Sequence, residues 1–246
     1  MIISLFEAKL EILADPNALS RRVAEWIHEI ATATDGVFAV ALSGGATPRP
    51  VYEHLAAPPY RDSFPWSRTH WFWGDERFVP HADALSNYRM VKEALLSRAP
   101  IPPANIHPIP TEGISPEAAA SAYERELKSV YGAEHFDPAR PLFDVTLLGL
   151  GSDGHIASLF PGTAVLAERD HWVAAVIGAK QEARITLTYP ALESSRNTAF
   201  VVSGAAKRDI FARFWRGDDS LPAARLRPAG RMYLFSDVAA AGQVGP

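Results

Sequence analysis

The chain has no cysteine among its 246 residues. That excludes disulfides, thiolate zinc sites, iron–sulfur clusters and a cysteine nucleophile, and it fits a reducing compartment. It also has no stretch of about 18 consecutive apolar residues, the length a membrane span requires. The opening residues carry Glu7, Lys9 and Glu11, so they lack the basic start and unbroken apolar run of a secretion signal. The expectation is a cytoplasmic protein with no membrane partner. Neither sign of charge dominates: 24 Lys and Arg against 28 Asp and Glu leave −4, which argues against nucleic acid as a partner. What remains is an ordinary globular composition, 48% apolar and 21% charged, which excludes bulk disorder. A single α/β domain over residues 1–246 is expected, long enough to bury a core without metals or staples.

Apolar runs alternate with amphipathic stretches. Asp15-Pro16 opens a predicted helix to about Thr32, with Leu19, Val23, Trp26, Ile27 and Ile30 on one face. Further helices are predicted from Pro48, over Asn87 to about Leu96, from Pro116 with Ser115 as cap, and over Ala205 to Trp215. Strands are predicted over 37–42, 70–73, 143–148, 173–177, 185–187, 198–202 and 232–235. Between Arg98 and Pro110, the prolines at 100, 102, 103, 108 and 110 predict a rigid extended connection, and Val238 to Gln243 reads as a loose end. No repeat or linker interrupts the pattern. Alternation of strand and helix implies a mostly parallel sheet flanked by helices on both faces. Ligands of such sheets bind outside the carboxyl ends of the strands.

Three strand ends carry unusual residues. The first is Leu42-Ser43-Gly44-Gly45-Ala46-Thr47-Pro48. Its glycines let a ligand approach the backbone, and Ser43 and Thr47 add hydroxyls, which suits an anion such as phosphate. It lacks the P-loop lysine and does not read GxGxxG; the same residues also suit a tight turn that binds nothing. The second is Gly74-Asp75-Glu76-Arg77. Asp75 suits a hydroxyl or a proton in a cleft and Arg77 an anion, with Asn87 reaching the same space; an exposed, solvated loop is the alternative. The third is Gly149-Leu150-Gly151-Ser152-Asp153-Gly154-His155, at a turn read as strand-to-helix. Imidazole is the side chain best suited to exchange a proton at neutral pH, and Asp153 is placed to orient it. Ser152 and Ser158 lie near His155, but no G-x-S-x-G elbow is present. Late in the chain, Arg184 and Lys207 either join a phosphate pocket or are plain surface charges; Arg49 is a further possible contact.

The segments SGGATP, WGDERFVP followed by SNYRMVKEALL, GLGSDGHIASLFPG, RITLT and VSGAAKR occur in an order that resembles the 6-phosphogluconolactonases, from roughly residue 5 to 235. The resemblance implies a modified Rossmann-like fold shared with glucosamine-6-phosphate isomerase, without a bound dinucleotide. It implies hydrolysis of 6-phospho-D-glucono-1,5-lactone in the oxidative pentose phosphate pathway, with no metal, no cofactor and a small phosphorylated sugar lactone as the only partner. His155 falls on the family's catalytic histidine, with Asp75 and Asp153 as catalytic companions. Asp75 and Arg77 fall on its DER motif, Arg184 and Lys207 on basic positions associated with phosphate and substrate binding, and Ser43, Gly44, Gly45 and Thr47 on its glycine loop; Gly151, within the histidine motif, and Asn87 are expected to bind substrate with them. A monomer or homodimer is expected. The rival readings are a sugar-phosphate isomerase or deaminase and a non-catalytic sugar-phosphate sensor. The isomerase pattern has an acid five residues after the histidine and DEY in place of DER; here those positions hold Phe160 and Arg77.

Overall fold

The computed structural model of the protein describes residues 8–244. Its strands are β1 (Lys9–Leu13), β2 (Phe38–Leu42), β3 (Thr69–Trp73), β4 (Asp75–Arg77), β5 (Ile106–His107), β6 (Val145–Leu148), β7 (Val173–Val176), β8 (Arg184–Leu187), β9 (Asn197–Val202) and β10 (Arg231–Asp237). Seven form one sheet in the order β1-β10-β9-β6-β2-β3-β5. Every neighbouring pair in it is parallel. Helices flank it, as a parallel sheet requires, because each crossover must return along a face. The central strands β2 and β6 read FAVAL and VTLL and are buried at every position.

The register decides where chemistry can sit. Leu42 lies opposite Trp73, and Leu148 lies opposite Phe200. The order β9-β6-β2-β3 therefore brings four carboxyl ends side by side: those leading into Ser203, Gly149, Ser43 and Gly74. The three singled-out loops and the segment carrying Lys207 thus leave the sheet along one edge.

Local signals set the helix limits. Asp15 accepts a hydrogen bond from the Ala18 amide at 2.7 Å and starts the helix Pro16–Ala33. Its apolar face, Leu19, Val23, Trp26 and Ile27, is buried. Ser115 caps Pro116–Tyr131 in the same way, and Gly132, with φ +74°, ends it in the left-handed region.

Several expectations need correction. β1 was not anticipated, because Lys9 and Glu11 break its apolar run; it is an edge strand paired only with β10, where Glu11 meets Arg22 at 2.9 Å. β5 lies inside the proline-rich connection as the opposite edge, which tolerates neighbouring prolines. β4, read as a loop, pairs antiparallel with β8, and β8 with β7, in a separate three-stranded sheet. Asn87–Val91 is α-helical but passes into a wider turn over Lys92–Leu96. No helix follows His155; the chain runs through turns to a short 3₁₀ segment, Ala164–Ala167. Val238–Ala241 is a helical turn capped by Asp237, with Ala240 and Ala241 buried, and not a loose end. Among the described residues, no helix is long and apolar enough to cross a membrane.

Candidate active site

A cleft of about 340 Å³ opens where those strand ends converge. Ser43, Gly44, Gly45, Thr47, Asp75, Arg77, Asn87, Gly151, His155 and Lys207 all line it, as do Ser152 and Ala157. Residues separated by as many as 164 positions (43 to 207) thus meet in one space.

The loop after β2 supplies backbone donors. The amides of Gly44 and Gly45 have no hydrogen-bond partner among the described residues. Gly45 has φ +98°, a conformation side-chain-bearing residues rarely adopt. At Gly44 the constraint is space: a Cβ would stand 1.9 Å from Oδ1 of Asn87, so the carboxamide lies directly on this glycine.

Alternation along β4 sorts the three charged residues. Asp75 and Arg77 face the cleft, while Glu76 between them is only 1% exposed. Asp75 accepts from Ser158 Oγ at 2.7 Å, and Asn87 Nδ2 donates to the Asp75 carbonyl at 2.9 Å. Arg77 Nη1 donates to the Leu85 carbonyl at 2.5 Å, which fixes one corner of the guanidinium at the cleft wall. Glu76 has a separate task that residue type alone did not reveal. It accepts from the amides of Arg77, Asn87 and Tyr88 at 2.7–2.8 Å and from Ser86 Oγ at 3.1 Å. It therefore caps the helix Asn87–Val91 and fixes Asn87. Burial pushes its carboxyl above the ordinary range, against the opposing effect of those amides. The signal that would have found it is the strand's period of two.

His155 is held from two sides. Its Nδ1 lies 2.5 Å from Asp153 Oδ1, and its amide donates to the same oxygen at 3.1 Å. Burial raises the Asp153 carboxyl, but hydrogen bonding to His155 more than offsets this and leaves it below the ordinary value. The Phe160 ring packs 4.7 Å from the imidazole, centroid to centroid. Gly151 leaves room for that ring: a Cβ there would sit 2.0 Å from Nδ1. Ala157 carries φ +46°, the one non-glycine positive φ among the described residues, and it lines the cleft. Nothing in its residue type signals this.

Lys207 reaches in from beyond β9, with Nζ donating to the Leu150 carbonyl at 2.7 Å. Its turn is anchored by fully buried Asp237, which accepts from Ser203 Oγ at 2.5 Å and from the Gly204 amide. Asp153, which holds His155 Nδ1, is not among the residues that line the cleft. Arg184, expected in the phosphate pocket, does not line it either. Pairing of β4 with β8 sets it opposite Arg77, where Nε and Nη1 are buried without a partner and Nη2 is 3.8 Å from Glu182. Burial, then the charge of Arg77, pushes its guanidinium below the ordinary value. Among the described residues, no group of three or more His, Asp and Glu side chains is arranged to hold a metal ion.

The arrangement offers backbone amides and two cations for an anion, and an oriented imidazole for proton transfer. Comparison with known proteins points the same way. The family model described as glucosamine-6-phosphate isomerases/6-phosphogluconolactonase matches residues 14–234. A 6-phosphogluconolactonase of Synechocystis is 40% identical over 222 residues, 88% of either chain. One of Nostoc is 38% identical over 243 residues, 96% of this chain and 98% of that one. The crystal structure of 6-phosphogluconolactonase from Thermotoga maritima is 33% identical with a TM-score of 0.80, covering 94% of this chain and 99% of that one. A monomeric glucosamine-6-phosphate deaminase, 19% identical with a TM-score of 0.80, shares the fold. Family model, relatives and fold agree over nearly the whole length, and the chain belongs to the glucosamine-6-phosphate isomerase/6-phosphogluconolactonase family.

Proposed function

We propose that the protein hydrolyses 6-phospho-D-glucono-1,5-lactone to 6-phosphogluconate, with His155 as the base that activates water. The observation that carries this is the meeting, in one cleft, of an Asp153-oriented imidazole with a glycine loop and the cations Arg77 and Lys207. Sequence relatives with nearly full coverage are 6-phosphogluconolactonases. The reaction belongs to the oxidative pentose phosphate pathway.

Asp153 occupies Nδ1, so Nε2 is the nitrogen free to accept a proton. Water gives that proton to Nε2 as its oxygen bonds to C1 of the lactone. The carbonyl electrons move onto oxygen, where glycine-loop amides or a basic side chain meet the charge, an effect worth about 3 kcal/mol per well-placed donor. As the carbonyl re-forms, the bond from C1 to the ring oxygen breaks, and His155 returns its proton to that oxygen. Arg77 and Lys207 hold the phosphate. Asp75, fixed by Ser158 and Asn87, accepts a hydrogen bond from a sugar hydroxyl. No serine nucleophile is needed: Ser158 Oγ is committed to Asp75. An isomerase or deaminase needs further acid–base help near the histidine, and position 160 puts a phenyl ring there.

The test is a coupled assay on freshly made lactone beside an ammonia-release assay on glucosamine 6-phosphate. Acceleration over spontaneous hydrolysis without ammonia release is expected. Robust ammonia release would transfer the assignment to the deaminase reaction. Binding of 6-phosphogluconate with no acceleration would leave a sensor.

A further inference from the structure

The loop that offers its amides to the anion is itself held by a residue that never reaches the cleft. Ser43 is the first residue beyond β2, where the strand ladder stops and backbone groups lose their partners. Tyr52, on the helix Arg49–Leu55, is fully buried beneath it. Its hydroxyl accepts from the Ser43 amide at 3.0 Å and donates to the Ser43 carbonyl at 2.7 Å. A phenol is one of the few side chains able to donate and accept at once through a single atom, so one group satisfies both backbone atoms of one residue. Burial pushes the hydroxyl well above the ordinary tyrosine range, so it stays protonated and able to donate.

The neighbouring strand uses the same device. The Tyr123 hydroxyl accepts from the Trp73 amide at 2.8 Å and donates to the Trp73 carbonyl at 3.1 Å, two residues before Asp75. Leu42 and Trp73 are register partners, so the two phenols grip adjacent strand ends at nearly the same height. Tyr189 is equally buried but donates only to the Pro222 carbonyl, at 2.8 Å. It belongs to no residue lining the cleft.

We propose that Tyr52 is a positioning residue for substrate binding: by clamping both backbone groups of Ser43, it presets the Gly44–Thr47 loop in its anion-accepting shape. The inference rests on the lactonase reading for its substrate, but the clamp acts on any anion held by the loop. Without the hydroxyl, two partly buried backbone groups lose their partner, and the loop regains freedom that binding must then remove. Gly44 and Gly45 add no stiffness of their own. The loop grips the phosphate alike in ground and transition states, so the loss falls on KM and not on kcat.

The decisive comparison is Tyr52→Phe beside Tyr189→Phe. Both remove one buried hydroxyl and keep the ring. Steady-state kinetics on the lactone are combined with thermal shifts in increasing inorganic phosphate. Tyr52→Phe is expected to raise KM about tenfold, with kcat within about twofold, and to weaken the phosphate-induced shift; Tyr189→Phe should leave both near wild type. An unchanged KM in Tyr52→Phe overturns the proposal, as does an equal rise in Tyr189→Phe. So does a Tyr52→Phe chain that fails to fold, because the hydroxyl would then serve the fold and not the loop. If wild type fails to accelerate hydrolysis, the lactonase reading falls, and the phosphate shifts alone judge the clamp. A wild type that also ignores phosphate overturns both.

Discussion

At the scale of single residues, the site depends on what its glycines leave out. Gly151→Ala would place a Cβ 2.0 Å from His155 Nδ1 and force the imidazole off Asp153. A displacement of about 1 Å at a reacting group costs on the order of 100-fold in rate. The expected result is a kcat loss of that order with a near-normal melting temperature; unchanged kcat would show that the imidazole position does not matter. Lys207→Ala is expected to raise KM, with kcat retained, since the proposed reading has its ammonium grip phosphate through the whole reaction. Steady-state kinetics check both. Residue type and spacing made most of this site legible: Gly-Gly, Asp-x-Arg and Gly-x-Gly-x-Asp-Gly-His each announce a local chemistry. They did not reveal Glu76 or Asp237, because a buried carboxylate that caps backbone amides looks, in sequence, like one facing a ligand. Ala157 was hidden for a simpler reason, since its strain lies in the backbone and not in its residue type. Arg184 was expected in the phosphate pocket from its charge; strand pairing sets it opposite Arg77, with Nε and Nη1 buried without a partner.

At the scale of elements, Glu76 joins a strand to a helix. Glu76→Ala leaves the Arg77, Asn87 and Tyr88 amides and the Ser86 hydroxyl without their acceptor. A loss of about 3 kcal/mol is expected, from unsatisfied groups worth about 1–3 kcal/mol each with partial relaxation. Denaturant unfolding measures it, and a loss below about 0.5 kcal/mol would show that water replaces the cap. The β3–β5 edge carries a pH dependence. His70 Nδ1 lies 2.9 Å from His107 Nε2, and His107 Nδ1 lies 2.7 Å from Glu126. Burial, then the neighbouring His107, holds the His70 imidazole below the ordinary histidine range. A base with a depressed folded pKa resists protonation in the fold. Its favourable contribution is therefore complete above the unfolded pKa and is lost as pH falls through the folded one. Thermal melts of wild type and His70→Gln between pH 7.5 and 5 should diverge, with wild type losing more; parallel curves would remove His70 as the cause. The elements themselves were legible wherever burial was two-sided and continuous, as in β2 and β6. They were not legible at the edges, where β1 and β5 carry charge or proline, nor in β4, whose partner β8 lies more than 100 residues away.

At the scale of the whole molecule, a parallel sheet gathers distant segments, and ligand binding should tie them together. A ligand that binds only the folded state stabilises it by RT ln(1 + [L]/Kd), about 2.7 kcal/mol at 100 times Kd. In a chain of this size that is a rise of roughly 5–10 °C in melting temperature. 6-Phosphogluconate should produce it, and unphosphorylated gluconate should produce far less, because the proposed reading sets Arg77, Lys207 and the glycine loop on the phosphate. Equal shifts from both would remove the anion pocket. The crossover pattern made the side of the sheet bearing the site legible before any distance was known, since ligands of such sheets sit at the carboxyl ends. That these loops share one site was carried by the family resemblance and by no periodicity, because strand order is set by pairing across the chain and not by succession along it. The most direct measurement is hydrolysis of 6-phosphogluconolactone by wild type beside His155→Ala, with folding checked by circular dichroism. A positioned general base contributes typically about 10²–10⁴-fold, so the folded variant should lose that much of kcat. A folded His155→Ala that turns over at the wild-type rate would contradict the account.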